Sequence, residues 1–204
     1  MEFKKRKSAK HLAEVTADGV RKDVLAYLHD IVWLLAVVIL LFTICFRVVV
    51  VSGTSMNDTL VNGDWLLLLS NLTSGEIRQG DIIVASKESF KNGEPIIKRV
   101  IATEGQVVNI DFDTGVVYVD NQPLREPYTL TPTNIQEGVS FPCIVESGCV
   151  FVMGDNRNES LDSRSNEIGL IDKREIVGKA VLVLFPGIDD RHPEREFNRI
   201  GVLS

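Results

Sequence analysis

The hydrophobic pattern of this chain contains one long unbroken apolar run, Ile31 to Phe46, IVWLLAVVILLFTICF. At a helical rise of about 1.5 Å per residue the run reaches most of the way across a hydrocarbon core roughly 30 Å thick. Leu25 to His29 and a snorkelling Arg47 supply the rest. Beyond Arg47 the period changes. Short β-branched stretches separated by Gly, Asn and Asp turns predict strands near Trp65–Leu69, Asp81–Ala85, Ile96–Ala102, Val107–Asp111, Val116–Val119, Val150–Met153 and Ile176–Phe185. Helical period is almost absent there. The expected architecture is mainly β: a segment at 1–30, a transmembrane helix at 31–46, and one antiparallel β domain over 47–204.

Two stretches break the strand rhythm. Leu124 to Gly138 contains Pro127 and Pro132 and reads as a long surface loop or excursion. The tail from Pro186 is polar almost to its end, which predicts a segment wrapped over the surface with its final residues pinned back on. Asp113-Thr114-Gly115 lies between two predicted strands. An aspartic-protease site needs two carboxylates sharing a proton, and with one copy of this tripeptide a hairpin turn is the better reading.

Charge then orients the chain. Lys4, Lys5, Arg6, Lys7, Lys10, Arg21 and Lys22 precede the apolar run, whereas Arg47, Asp58 and Asp64 follow it. The positive-inside rule puts the N-terminus in the cytoplasm and the β domain outside, and the basic cluster suits anionic headgroups of a lipid bilayer. A cleavable leader is disfavoured, because RVVVVSG offers no small-x-small exit. The net charge of −6 points to no nucleic-acid partner. Of the three cysteines, Cys143 and Cys149 lie outside, where either a short disulfide clip or two small buried side chains fits their spacing. With no histidine beside them they suggest no metal, and nothing else in the chain calls for a cofactor.

A serine hydroxyl is a weak nucleophile until a base takes its proton. Ser55, in VVVVSGTSMNDTL, sits shortly after the apolar run, so chemistry there would take place against a lipid surface. The bases available outside are few. His11 and His29 are on the cytoplasmic side, leaving only His192 in the tail, so a Ser/His/Asp triad would need to recruit a residue from that tail. Lysine is the alternative if it is held neutral. Lys98 interrupts the apolar stretch PIIKRVIA, where desolvation would lower its pKa from about 10.4. Arg99, on the opposite face of the same strand, would direct its permanent charge away.

Three segments, SGTSMNDTL, IIKRVIATEG and GDNRNESLDSR, follow the anchor in an order and at separations that resemble the bacterial type I signal peptidases. GDIIV at Gly80–Val84 resembles a fourth family segment, and GKAVLVLFP with NRIGVL the usual ending. The resemblance implies a signal-peptidase-like antiparallel β catalytic domain that removes signal peptides from exported preproteins at a bacterial plasma membrane. It implies Ser55 as nucleophile, Lys98 as general base, Ser160 as the hydroxyl orienting that lysine, and Asp162 with Arg164 as an ion pair bracing the site. Met56, Leu60 and Ile97 match positions lining shallow pockets for small substrate side chains, though each also reads as an ordinary core residue. An extended substrate would add as a strand beside Ile96 to Val100. Two positions depart from the family pattern. Gly53 replaces a serine whose hydroxyl completes the oxyanion hole in some relatives, and Asp58 replaces the usual proline. Both departures fit an alternative, a catalytically silent membrane-tethered β module that binds exported peptides.

Overall fold

An apolar run without Gly or Pro satisfies its own backbone as a helix. In the computed structural model, which describes residues 2–88, 90 and 93–203, helix α1 spans Glu2–Cys45. Its apolar part, Asp23–Cys45, has 23 residues, or about 35 Å of helix. Among the described residues it is the one helix long and apolar enough to cross a membrane. The side chains of Lys4, Lys5, Arg6, Lys7, Lys10 and Lys22, and the terminal Ser204, lie outside the described residues.

The chain divides into two compact units, Met1–Ile44 and Cys45–Ser204. The expected boundary after Phe46 needs correcting, since Phe46 and Arg47 open strand β1 (Phe46–Val50) and pair with Leu69 and Leu68 of β2 (Trp65–Ser70). Periodicity cannot mark this change, because an apolar helix end and an apolar strand read alike.

The second unit contains two antiparallel sheets. In the larger, β1 and β2 are followed by β11 (Ile176–Phe185), β3 (Ile82–Ser86), β4 (Pro95–Thr103), β9 (Cys149–Met153) and β10 (Ile171–Asp172), while β12 (Gly201–Val202) pairs with the end of β11. The smaller runs β7 (Gln122–Pro123), β6 (Val116–Val119), β5 (Val107–Asp111) and β8 (Cys143–Ile144). Successive strand residues point to opposite faces, so one strand feeds two cores. Val150 and Val152 of β9 pack with Ile83 and Val100, whereas Phe151 and Met153 pack with Ile101, Val108 and Val117. Ile82 and Val84 of β3 close a third core with Met56, Leu60, Leu66 and Leu68. Burial on both faces explains why these strands are apolar throughout.

Every expected strand is present. The strands not anticipated are β1, hidden in continuity with the membrane run, and the two-residue β7, β8, β10 and β12. Asp113–Gly115 turns the β5–β6 hairpin, with Asp111 Oδ1 accepting the N–H groups of Asp113 and Thr114. The tail is pinned by β12, as its pattern predicts. The stretch 124–138 is not simply a surface loop. Thr133 is completely buried, and the Tyr128 ring lies 3.9 Å from the Arg99 guanidinium. Cys143 and Cys149 belong to different sheets and are free thiols, so the clip does not form.

Candidate active site

Ser55 lies in the loop from Val51 to Asp64 that joins β1 to β2. Crossed backbone bonds close this loop: Val51 N–H to the Asp64 carbonyl and Gly63 N–H to the Val51 carbonyl, both 2.9 Å. Within it, Asn57 N–H donates to the Thr54 carbonyl at 3.1 Å, and Leu60 N–H to the Met56 carbonyl at 2.8 Å. Lys98 stands in β4, paired in register with Ile83 of β3. The two meet: Lys98 Nζ is 2.6 Å from Ser55 Oγ.

Only 5% of Lys98 is exposed. Burial lowers its pKa from 10.5 to about 8, against the opposing pull of the Asp162 and Asp155 carboxylates, while Arg164 lowers it further. Among the described residues no carboxylate bonds the ammonium directly, which is what permits the neutral form near physiological pH. A neutral amine at this distance can accept the hydroxyl proton as oxygen attacks a carbonyl.

Arg99, next along the strand, is buried rather than solvated. Its Nε and Nη2 donate to the two oxygens of Asp155, each at 2.9 Å, and Nη1 donates to the Gly80 carbonyl at 2.9 Å. Asp155 also accepts Thr59 Oγ1 at 2.6 Å, which ties this ion pair to the loop that carries Ser55. Asn156 N–H donates to the Ser55 carbonyl at 3.0 Å, and its Nδ2 to the Thr54 carbonyl at 3.2 Å. In the sequence Asp155 and Asn156 read as a turn with no catalytic role. The structure gives them a positioning one, and the only sequence signal was their place in the family-like segment GDNRNESLDSR.

Asp162 and Arg164 are both fully buried and paired, with Arg164 Nε 2.8 Å from Asp162 Oδ1 and Nη2 2.9 Å from Oδ2. Asp162 Oδ2 also accepts Gly154 N–H at 3.0 Å. Arg164 reaches back to the carbonyls of Arg157, Ser160 and Ile135, and Arg157 binds Glu126 and Thr133 from the excursion. Ser160 Oγ is buried without a hydrogen-bond partner among the described residues, and it makes no bond to Lys98. Gly154 separates it from the loop that carries Ser55. A Cβ there would lie 2.2 Å from Ser160 Oγ and 2.4 Å from the Ser55 carbonyl oxygen.

A cleft of about 260 Å³ opens beside Ser55 and Lys98, walled by Val49, Val51, Met56, Val84 and Ile97. Met56 and Ile97, two of the three residues expected to line pockets, both wall this cleft. Leu60 does not reach the wall; fully buried, it packs in the core that includes Met56. Gly53 N–H donates to Asn62 Oδ1 at 3.0 Å, while Ser55 N–H has no acceptor among the described residues. His192 pairs with Asp189 at 3.1 Å and makes no bond to Ser55.

A serine hydroxyl bonded to a desolvated amine at the edge of an apolar cleft is chemistry suited to acyl transfer by a serine hydrolase. The family described as signal peptidase, peptidase S26, matches residues 24–185, and the chain belongs to it as a signal peptidase of type I. It is therefore a serine peptidase. It is 31% identical over 183 residues to signal peptidase I of Bacillus licheniformis, covering 86% of this chain and 96% of that one. It is 37% identical over 149 residues to signal peptidase I T of Bacillus subtilis, covering 69% and 75%. A crystal structure of a signal peptidase I from Enterococcus faecalis aligns with a TM-score of 0.42 at 24% identity, over 52% of this chain and 98% of that one.

Proposed function

We propose that this protein removes N-terminal signal peptides from exported preproteins, with Ser55 as nucleophile and Lys98 as general base. The observation that carries this reading is the 2.6 Å contact between Ser55 Oγ and the buried Lys98 Nζ. That contact also favours a catalytic over a silent module. Neutral Lys98 takes the Ser55 proton as Oγ attacks the scissile carbonyl, and the Ser55 N–H donates to the developing oxyanion. Collapse gives an ester on Ser55, while Lys98 returns its proton to the departing amine. Lys98 then activates water to hydrolyse the ester.

Asp162 with Arg164 braces the base from behind, and Ser160 orients it once substrate tightens the site. Met56 and Ile97 shape the pockets for small side chains, with Leu60 supporting them from the core. The substrate docks as a strand on β4. One edge of Pro95–Arg99 is paired to β3, and β9 takes the other edge only from Arg99 onward. The free edge is therefore Ile96–Lys98, shorter than the Ile96–Val100 stretch expected from sequence.

The partner surface is a lipid bilayer. Helix α1 serves as a single-pass anchor in the bacterial plasma membrane, with the N-terminus cytoplasmic and the β unit on the outer face, and no nucleic acid is involved. Val48, Val50, Trp65 and Phe185 support a lipid-facing role: they lie on the edge strand β1 and its two neighbours, β2 and β11, and are all exposed. The test is cleavage of a preprotein bearing an Ala-x-Ala site by the detergent-solubilised chain. Cleavage at that site, lost in both Ser55→Ala and Lys98→Ala, is the expected result; near-normal cleavage by Lys98→Ala would overturn the dyad.

A further inference from the structure

The nucleophile loop is held by the chain's own C-terminal tail. At the end of the loop, the fully buried Asp64 accepts Gly187 N–H at 2.6 Å and Arg199 Nη1 and Nη2 at 3.1 and 2.7 Å. Gly187 sits against the loop backbone so closely that a Cβ would lie 2.1 Å from the Asn62 carbonyl oxygen. Arg199 Nη2 also reaches the Thr59 carbonyl at 3.4 Å, and Arg191 pairs with Asp58 across an exposed 3.4 Å gap.

The contact nearest the nucleophile is the buried one. Asn57, only 2% exposed, donates Nδ2 to Asp189 Oδ2 at 3.0 Å. Asp189 Oδ1 is occupied by the tail itself, accepting Arg191 N–H at 3.0 Å and His192 N–H at 2.8 Å, with His192 Nδ1 at 3.1 Å. Asp189 is thus a fixed acceptor at a turn of the tail. It also sets the orientation of the Asn57 amide, because a carboxylate can only accept. Asn57 Oδ1 is left buried with no partner among the described residues. The one side-chain bond of this buried amide, two residues from Ser55, therefore goes to the tail.

We propose that Asn57 and Asp189 are positioning residues for the Ser55 nucleophile, and that the C-terminal tail is the clasp through which they act. Asn57 N–H closes the turn onto the Thr54 carbonyl while its side chain is tied to the tail, so the backbone carrying Ser55 is fixed from both ends of one residue. The proposal rests on Ser55 being the nucleophile, and misplacing a reacting atom by about 1 Å can lower turnover roughly 100-fold.

The chemistry of the pair permits a swap. Asn57→Asp sets two carboxylates against each other and should lower kcat by at least about tenfold with KM little changed. Adding Asp189→Asn restores a donor facing an acceptor, since the amide introduced in the tail would keep its oxygen on the tail donors and offer its nitrogen to the carboxylate introduced in the loop. The double variant should recover kcat to within about threefold of wild type. Asn57→Ala, which adds no charge, should show the same kcat loss in a smaller degree. All are measured on the full chain in detergent, with thermal midpoints recorded. Wild-type activity in Asn57→Asp, or a double variant no more active than Asn57→Asp at a wild-type midpoint, would overturn the clasp. A loss of kcat in Asn57→Asp that only tracks a lowered midpoint, with Asn57→Ala fully active, would equally assign the pair to stability alone. If wild type itself does not cleave, the function proposed above fails first.

Discussion

Arg99 donates to both oxygens of Asp155 at 2.9 Å within a completely buried pair, one strand position from Lys98. This bidentate contact joins β4 to the segment after β9, and through Thr59 to the loop that carries Ser55. Three chain segments are thereby registered around the Ser55–Lys98 contact. Removing either partner takes the bidentate ion pair from a buried charge, so Arg99→Ala and Asp155→Ala should each destabilise the β unit by about 3–5 kcal/mol. Urea unfolding would measure this. A double Arg99→Met, Asp155→Leu variant should lose clearly less than the two singles added together.

The acid limb of the rate profile should report Lys98. With its pKa near 8, kcat/KM should rise tenfold per pH unit below that value and level off above it. Asp162→Asn should move the limb to lower pH, because the Asp162 carboxylate favours the ammonium form and its loss leaves Arg164 opposing that form. A limb that stays put or moves upward would contradict this electrostatic arrangement.

The same shift makes Lys98 a stability liability. Its folded pKa, about 8, lies below the unfolded value of 10.5, so between these values the unfolded chain binds the extra proton. Stability from this group therefore rises with pH across that window, and the penalty is full below it. Lys98→Met should be inactive yet more stable than wild type at pH 7, by up to about 3 kcal/mol. Denaturant midpoints at pH 7 and pH 10 should show the advantage shrinking at the higher pH.

Ser160 and Gly154 should separate activity from stability. Ser160→Ala removes a buried hydroxyl with no partner among the described residues, so its stability in urea should hold or rise, by an amount on the order of 1 kcal/mol. Turnover should nonetheless fall if that hydroxyl engages Lys98 with substrate bound. Gly154→Ala drives a Cβ into Ser160 and the Ser55 carbonyl and should abolish cleavage. A fully active Gly154→Ala would mean the loop does not need its observed position.

The thiols should be independent of each other. Burial raises the pKa of Cys143, and burial with the nearby Asp172 carboxylate raises that of Cys149, so both should resist alkylation at neutral pH in the folded protein and react in denaturant. Reductant should leave the melting temperature unchanged. A reductant-sensitive melt would indicate the clip that is absent here.

Much of this protein was legible in one dimension because its signals are local. An apolar run long enough for a bilayer, seven strands marked by β-branched residues, and the Asp-Thr-Gly hairpin turn each depend on neighbours within a few residues. Ser55 and Lys98 were legible for a different reason: they are chemically conspicuous, a serine among family-like residues and a lysine inside a strand of isoleucine and valine. Tertiary structure alone decided what pairs with what. Asp155 and Asn156 look like an ordinary turn until Arg99 and the Ser55 carbonyl arrive from other segments. Residues 124–138 look like surface loop until three buried arginines, Arg99, Arg157 and Arg164, draw on it for partners. Met56 and Leu60 read alike in sequence, yet the first faces the cleft and the second the core. The tail's grip on Asn57 spans 132 residues, and no local rule encodes it. Periodicity and propensity act over a turn or a strand, whereas a buried charge or amide is satisfied by whichever distant atom the packed chain brings within about 3 Å.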